Sequence, residues 1–242
     1  MRVQVYSTAG SFDPGQIEGK TAIVVDVLRA TSTIITALAN GCVDIVPVLS
    51  PQEALKLVVG WPEGSYILGG ERRSVKIEGF HLGNSPLEYT GERVGGRRLV
   101  ITTTNGTRAI RAAEGAELVY IAGFLNAFTV SRYALASARD VAIICSGTRE
   151  QFDLCDVVCA GSLVKNLTGP DLHTELDDLA LAARDLFGLY EGRLAELLYL
   201  TAHGQDLVKL GLQDDLVHCA QLNSIPLVPE LKDGRVVLAD PV

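Results

Sequence analysis

The sequence predicts a three-layer α/β/α fold with a mostly parallel or mixed sheet and a helical C-terminal portion. As far as about residue 150, short runs rich in Val and Ile alternate with amphipathic segments, which is the pattern of an α/β protein. Several runs are apolar on both faces, as parallel strands covered by helices are. We expect a single domain over residues 1–242, with 1–150 as the alternating part and 151–242 as a mainly helical part packed on it.

The alternating part contains seven predicted strands, at residues 3–7, 22–27, 44–48, 65–68, 97–102, 118–122 and 141–145. The helices predicted between them cover residues 31–41, 51–59, 105–113 and 126–138. The first has a broad apolar face and ends at Gly41, a favourable C-terminal cap, and the second begins with Pro51 in its first turn. The connection over residues 70–96 has little periodicity, and connections of that length are usually functional or disordered.

Beyond residue 150, helices are predicted at 155–167, 176–186, 193–200, 205–210 and 214–220, followed by extended segments at 225–228 and 235–238. Residues 22–48 and 98–122 each follow the order strand, polar turn, helix, Gly, strand. A remote internal duplication would explain this, although the residue registers of the two units differ.

Charge and cysteine content limit the partners and the compartment. The net charge is −8 and the sequence pI is near 5.0, and without a dense Lys/Arg run nucleic acid is not an expected partner. The N-terminus lacks the apolar core of a signal peptide, and no run approaches the 20 or so apolar residues that span a membrane. The odd number of cysteines, five, favours reduced thiols in the cytoplasm. The apolar helical tail is compatible with a homodimer.

Two polar turns each follow an apolar strand and open a helix. One is "VVDVLRATSTI" over residues 24–34, and the other is "ITTTNGTRAI" over residues 101–110. Ligands of α/β sheets collect at the carboxyl ends of strands, and helix N-termini offer unpaired N–H groups to anions. N-capping by Thr or Asn explains one or two of these polar residues, but not a run of six from Thr102 to Thr107. An anion site is therefore predicted here.

Charged residues at three strand ends support that prediction. Asp26 follows four apolar residues, and Arg29 can bind a phosphate through two parallel hydrogen bonds. The segment "GGERR" (residues 69–73) places Glu71, Arg72 and Arg73 after a third apolar strand. Asp26 could instead cap a helix or form an ion pair, and the arginines could be solvated. Carboxylates among arginines suit Mg²⁺, which is held by one or two carboxylates with phosphate oxygens and water.

Other patterns are less informative. The segment "CSGTR" (145–149) has too few residues between its Cys and Arg for a cysteine phosphatase loop, and Cys155 and Cys159 lack zinc-site spacing. Core packing explains these thiols better. His203, in "TAHGQDL", is either a site residue or a helix-end histidine, and the second interpretation is favoured.

Five segments occur in the order "VVDVLRATSTIITAL", "LGGERR", "FHLGNSPLEY", "ITTTNGTRAI" and "FDLCDVVCAG". Together they resemble the 2-phosphosulfolactate phosphatase family across most of the chain. The resemblance implies an α/β/α fold and Mg²⁺-dependent hydrolysis of (R)-2-phospho-3-sulfolactate to 3-sulfolactate and phosphate, a step of coenzyme M biosynthesis. One departure is Cys155, which stands where the family usually has an acidic residue; Asp156 beside it is retained.

These observations lead to a specific hypothesis: a small anionic phosphate monoester is hydrolysed with the help of Mg²⁺. The predicted catalytic residues are Asp26, Arg29, Glu71 and Arg72, and the predicted metal ligands are Asp26, Glu71 and Asp156. The predicted substrate-binding residues are Thr31, Ser32, Arg73, Asn84, Thr103, Thr104, Asn105, Gly106 and Thr107. Attack by water is favoured over a phosphorylated Asp26. The alternatives are a non-catalytic binding protein for a phosphorylated or sulfonated metabolite, a phosphatase of the same family acting on another phospho-acid, and a phosphotransferase.

Overall fold

A computed structural model of the chain describes residues 1–169 and 173–242. Within them, one mixed sheet has the order β5-β4-β6-β3-β11-β10-β7-β2-β8-β1-β9. Its strands are β1 (Arg2–Tyr6), β2 (Thr21–Val25), β3 (Ile45–Pro47), β4 (Tyr66–Arg72), β5 (Val75–Lys76), β6 (Arg98–Thr102), β7 (Leu118–Ala122), β8 (Val141–Cys145), β9 (Glu175–Leu176), β10 (Pro229–Lys232) and β11 (Arg235–Leu238).

The helices of the described residues are α1 (Ala30–Ala39), α2 (Pro51–Leu57), α3 (Gly91–Val94), α4 (Gly106–Ala112), α5 (Ala127–Ala136), α6 (Leu154–Leu167), α7 (Asp178–Tyr190), α8 (Leu194–Leu200), α9 (Ala202–Lys209) and α10 (Gln213–Cys219). Among them, none has the length and apolar character that a membrane-crossing helix needs.

The sheet contains two groups of parallel strands that run in opposite directions. One group is β7, β2, β8, β1 and β9, and the other is β3, β6 and β4. The hairpin β10–β11 lies between them, and all three pairings from β7 through the hairpin to β3 are antiparallel. In a flat sheet, the carboxyl ends of the two groups would therefore lie at opposite edges.

Twist and curvature bring those ends together. Neighbouring strands of a sheet typically rotate by roughly 20–25° in one sense, so a typical twist over the five steps from β2 to β6 amounts to about 100–125° and offsets much of the reversal. The sheet also curves, because α4 contacts both β2 and β3, which are four places apart in the sheet. Polar turns that follow strands of both groups can thus meet at one site.

Helices cover both faces of the sheet, which confirms the predicted fold class. On the inner face, Val24 and Ile101 pack with Ile34 of α1 and Ile110 of α4 in one apolar cluster. On the outer face of the first group, Ile23 and its neighbours pack against α5, α6 and α7. Both strand–helix–strand units, β2–α1–β3 and β6–α4–β7, cross from one parallel group to the other.

Most predicted elements occur within a few residues of their predicted positions, with two exceptions. The extended segment expected at 225–228 is wrong, because the strand there is Pro229–Lys232, paired with β11 across a turn at Asp233 and Gly234. The strand expected at 65–68 continues to Arg72. Gly70 permits this, because its φ is 143° and a Cβ there would overlap the carbonyl oxygen of Thr102 on β6.

Candidate active site

A cavity of about 750 Å³ lies between the ends of the strands and α9. One side, here called the strand-end wall, consists of Asp26, Arg29, Glu71, Asn84, Thr103, Thr104 and Asn105. The opposite side, here called the helical wall, consists of Leu200, Thr201, Ala202, His203, Asp206, Lys209 and Leu210. The cavity is completed by the hairpin residues Arg73 and Ser74 and by Thr148, Arg149 and residues 151–154 of the β8–α6 connection.

Asp26 directly follows β2, and its carboxyl group is buried. Its Oδ1 accepts a hydrogen bond from the Ala30 N–H at 3.1 Å, so it caps α1 in addition to lining the cavity. Burial is the main cause that raises the pKa of Asp26 from 3.8 to about 7, while the Ala30 N–H and the Ser146 hydroxyl act in the opposite direction. A cation beside this carboxylate would offset the cost of its ionisation.

Thr31 and Ser32 hold the loop that carries Asp26. The Thr31 hydroxyl donates to the carbonyl oxygen of Asp26 at 2.8 Å, and the Ser32 hydroxyl donates to the carbonyl oxygen of Val27 at 2.8 Å. Both side chains are buried. They were predicted to bind substrate, but the structure places both hydroxyls in contacts within the protein.

The polar turn after β6 approaches Asp26 through Gly106. A Cβ on Gly106 would overlap the Cβ of Ala30 and would lie 2.7 Å from Asp26 Oδ2. The absent side chain therefore lets the N-termini of α1 and α4 come together. Thr103 and Thr107 cap each other, because the Thr103 hydroxyl accepts from the Thr107 N–H at 3.1 Å and the Thr107 hydroxyl donates to the Thr103 carbonyl.

Glu71 and Arg72 point to different sides because they are consecutive residues of β4. Glu71 is buried in the cavity wall, whereas Arg72 donates to the carbonyl oxygens of Glu71 and Leu49 and to the Thr102 hydroxyl. Arg72 was predicted to take part in catalysis on the assumption that residues 69–73 form a turn. The longer strand instead directs its guanidinium to these internal acceptors.

The Glu71 carboxylate connects the hairpin to the threonine turn. Oε2 accepts from the Ser74 N–H and Oε1 accepts from the Thr104 N–H, both at 2.7 Å. Arg73 and Ser74 form the two-residue turn between β4 and β5, with φ of 54° and 64°, as in a type I′ hairpin. The Thr104 N–H belongs to the turn that was predicted to bind the anion, but it donates to Glu71 instead. This hydrogen bond fixes the turn.

Two buried polar atoms of the strand-end wall, Asn84 Oδ1 and Thr104 Oγ1, have no hydrogen-bond partner among the residues that the structure describes. Buried polar groups are normally paired. Both atoms belong to residues that line the cavity, so a polar ligand or water there would satisfy them. Asn105, predicted to bind substrate, also lines the cavity, and its Oδ1 accepts from the Arg149 N–H at 3.4 Å.

The β8–α6 connection adds acidic and basic groups that were not predicted as site residues. Asp153 caps α6 through the Cys155 N–H, and its Oδ2 accepts from the Thr148 hydroxyl at 2.5 Å. His203 Nδ1 lies 4.0 Å from the same Oδ2. Burial is the main cause that lowers the pKa of His203 from 6.5. The sequence offers one signal for Asp153, which is a carboxylate between a buried strand and a helix. The same signal led to the prediction of Asp26.

His203 combines both interpretations that the sequence allowed. It is the second residue of α9, so it lies at a helix end, and it also lines the cavity. The N-terminal end of a helix disfavours a positive charge.

Asp156 and Cys155 are buried, are not among the cavity-lining residues, and make contacts that join neighbouring segments. Asp156 Oδ1 accepts from the Val27 N–H at 2.9 Å, and Oδ2 accepts from the Ser146 hydroxyl and the Gly147 N–H, each at 3.1 Å. This carboxylate therefore joins the loops after β2 and β8. Cys155 is buried, and its thiol donates to the Thr201 hydroxyl at 3.3 Å.

The predicted trio of metal ligands is not assembled. Among residues 1–169 and 173–242, no three His, Cys, Asp or Glu side chains are grouped as metal ligands would be. Both carboxylate oxygens of Glu71 and of Asp156 accept hydrogen bonds, whereas the Asp26 carboxylate accepts one at Oδ1 from the Ala30 N–H. Asp26 fits a magnesium ion better, because it lines the cavity and Mg²⁺ commonly uses one or two carboxylates with water and phosphate oxygens.

Comparison with known proteins identifies the family. The family model described as 2-phosphosulpholactate phosphatase matches residues 6–234. This chain belongs to the 2-phosphosulpholactate phosphatase family. A probable 2-phosphosulfolactate phosphatase of Symbiobacterium thermophilum is 54% identical over 225 residues, which cover 93% of this chain and 97% of that protein. Proteins with the same name from Gloeobacter violaceus and Caldanaerobacter subterraneus are 44% and 39% identical, each with 98% of both chains covered.

The family match confirms the resemblance seen in the sequence. The matched residues include both walls of the cavity. Cys155, the position at which the resemblance predicted a departure, is buried beside Thr201 and is not one of the cavity-lining residues.

Proposed function

We propose that this protein hydrolyses a small phosphate monoester with further anionic groups, and that (R)-2-phospho-3-sulfolactate is its substrate. Membership of the family and the names of the relatives support this choice. The observation that carries it is the strand-end wall, where Asp26 and Arg29 meet two unpartnered polar atoms in one cavity. A role in coenzyme M biosynthesis and a cytoplasmic location belong to the same proposal, the second supported by five buried free cysteines.

The strand-end wall has the groups that such a reaction needs. The Arg29 guanidinium binds phosphoryl oxygens and stabilises the charge that develops on them. The Thr104 hydroxyl is free to donate a further hydrogen bond to a phosphoryl oxygen. Because Thr103 and Thr104 use their N–H groups within the protein, side chains rather than a nest of amides provide most of the anion binding.

Asp26 has the central role in this proposal. Its carboxylate would hold Mg²⁺, which when bound neutralises phosphoryl charge and favours attack by water. With Oδ1 fixed by the Ala30 N–H, the carboxyl group keeps one orientation toward the cavity. The buried environment keeps water from screening the charges there.

The helical wall would bind the rest of the substrate. Lys209 and the neighbouring Arg149 and Arg73 line the cavity with exposed cationic side chains. A sulfonate or carboxylate group of the substrate is the complementary chemistry. The binding-protein alternative relied on the loss of an acid at position 155, and Cys155 is not one of the cavity-lining residues.

A phosphate-release assay tests the proposal. The wild-type protein is incubated with 2-phospho-3-sulfolactate, phospholactate and phosphoglycolate, each with Mg²⁺ and with a chelator. We expect Mg²⁺-dependent release, fastest with the sulfonated ester. Binding of all three esters without release under either condition would reject hydrolysis and favour a binding protein, and transfer of phosphate to an added alcohol would indicate a phosphotransferase.

A further inference from the structure

The side chain of Arg29 is held by groups from two distant segments. Its Nη1 donates to Asp215 Oδ2 at 2.7 Å, and its Nη2 donates to the carbonyl oxygen of Ser74 at 3.2 Å. Arg29 is 3% exposed and Asp215 is 1% exposed. Asp215 belongs to α10, in the helical portion of the chain, 186 residues away from Arg29.

The Asp215 carboxylate is itself fixed. Its second oxygen, Oδ1, accepts a hydrogen bond of 2.6 Å from the Ser85 hydroxyl. Ser85 is buried and follows Asn84, which lines the cavity. Both carboxylate oxygens are thus engaged, so the guanidinium has a rigid partner on the side away from the cavity.

We infer that Asp215, held by Ser85, is a positioning residue that fixes the Arg29 guanidinium for anion binding and catalysis. A guanidinium has five N–H donors in a rigid planar arrangement. The bonds to Asp215 and Ser74 occupy two of them and define the plane of the group. The remaining donors are then presented in one fixed orientation, which is the condition for effective stabilisation of a transition state.

Neither a gain in folding stability nor a gain in anion affinity explains why a carboxylate is present at Asp215. Buried ion pairs often contribute little net stability compared with apolar residues of similar size. A negative charge beside Arg29 also weakens the attraction of Arg29 for an anion. A site selected only for anion affinity would lack Asp215, so its presence is better explained by the orientation that it gives.

These two effects predict opposite results, which makes the role of Asp215 testable. In Asp215→Ala, Coulomb attraction alone would tighten the binding of inorganic phosphate, whereas loss of orientation would weaken it. We expect phosphate binding, measured by calorimetry, to weaken about tenfold and kcat to fall about 10–100-fold. Asp215→Asn keeps an oxygen acceptor for Arg29 and should restore phosphate binding to within about threefold of the wild type.

A double-mutant cycle shows whether Asp215 acts through Arg29. Arg29→Met should weaken phosphate binding by about 100-fold, and Asp215→Ala should have no further effect in that background. Asp214→Ala is the matched control, because Asp214 is the exposed neighbour on the same helix. Tighter phosphate binding in Asp215→Ala, or an effect that persists in the Arg29→Met background, would overturn the inference.

Two safeguards keep the result interpretable. If Asp215→Ala does not fold, Ser85→Ala retains the carboxylate and should weaken phosphate binding about two- to threefold, again only when Arg29 is present. An unchanged affinity in Ser85→Ala would then count against the inference. The kcat readout rests on the proposed function, but phosphate affinity does not, so a wild-type protein that binds phosphate without releasing it from esters would fail only the proposed function.

Discussion

The two walls of the cavity differ in how firmly their side chains are held. In the strand-end wall, Asp26, Arg29 and Glu71 are buried and accept or donate hydrogen bonds within the protein. In the helical wall, Thr201 is buried, but Leu200 and Lys209 are largely exposed, with 64% of Leu200 and 71% of the Lys209 side chain accessible. Fixed, buried groups stabilise developing charge, whereas exposed groups adapt to the shape of a substrate. We therefore assign the chemistry to the strand-end wall and the choice of substrate to the helical wall.

The largest expected effect comes from Asp26, because it is the carboxyl group proposed to hold the metal ion. Asp26→Asn should lower kcat by at least about 1000-fold, as expected when the main charge-stabilising ligand is lost. The phosphate-release assay measures this. Asp178→Asn, on the exposed first turn of α7, is the control and should be fully active. A metal-responsive, active Asp26→Asn protein would exclude Asp26 from the mechanism.

The same substitution should change stability in a pH-dependent way in metal-free buffer. The pKa of Asp26 is about 7 in the folded protein and 3.8 in the reference state, so the folded state retains a proton between these pH values and loses stability as the pH rises through that range. The free energy of unfolding of Asp26→Asn should equal that of the wild type near pH 4 and exceed it by about 2–4 kcal/mol above pH 7.

Denaturant unfolding with and without Mg²⁺ measures that difference. Bound Mg²⁺ compensates the buried charge, so it should stabilise the wild type above pH 7 and leave Asp26→Asn unaffected. Equal stabilisation of both proteins by Mg²⁺ would place the metal ion at another site.

The backbone of the strand-end wall was largely predictable, because fully buried parallel strands appear in a sequence as continuous apolar runs. The bounds of β7 and β8 agree with those predicted. Asp26 and Asn105 were predicted as site residues because they follow such runs, and both line the cavity. The extended segment predicted at 235–238 has the bounds of β11. The position of the hairpin in the sheet was not predicted, since the pairing of β10 with β7 and of β11 with β3 joins residues more than 100 positions apart, and no local pattern specifies it.

The side chains of the site were less predictable. Arg72 was predicted as a site residue because the strand was expected to end at residue 68, four residues before the end of β4. Side chains alternate between the two sides of a strand, so the longer strand determines which side Arg72 faces. Asp215 and Lys209 depend on how the helical portion packs on the sheet. Their sequence neighbourhoods are those of ordinary amphipathic helices, so only the tertiary structure shows that they approach Arg29 and the cavity.

A smaller effect is expected where the strand-end wall depends on close backbone packing. Gly106→Ala should separate α4 from α1, because the added Cβ would overlap Ala30 and crowd Asp26. We expect a loss of about 1–3 kcal/mol in unfolding free energy and a 10- to 100-fold lower kcat. Gly188→Ala, in α7 with no atom of the described residues within 4 Å of the added Cβ, is the control and should be neutral or slightly stabilising. A fully active Gly106→Ala would show that this approach does not matter for catalysis.

Substitutions in the helical wall should change KM rather than kcat. Lys209→Gln removes a cation from this wall, and we expect KM for a substrate with a second anionic group to rise about three- to tenfold with kcat almost unchanged. Lys165→Gln is the matched control. Lys165 lies on α6, away from the cavity lining, and like Lys209 it is exposed and pairs with one acid, in this case Glu191. A fall in kcat at constant KM would contradict the division of roles between the walls.

The smallest effect on activity is expected at Cys155, which is buried and belongs to neither wall of the cavity. The thiol is buried, burial raises its pKa well above the usual value, and its hydrogen bond goes to Thr201, which also caps α9 through the Gly204 N–H. A neutral thiol in this setting packs and donates, but does not act as a nucleophile. Cys155→Ser keeps a donor for Thr201, so kcat should stay within about twofold while the free energy of unfolding changes by about 1 kcal/mol. If Cys155→Ser instead lost more than tenfold in kcat with an unchanged melting temperature, the thiol would belong to the chemistry, and the chemistry would no longer be confined to the strand-end wall.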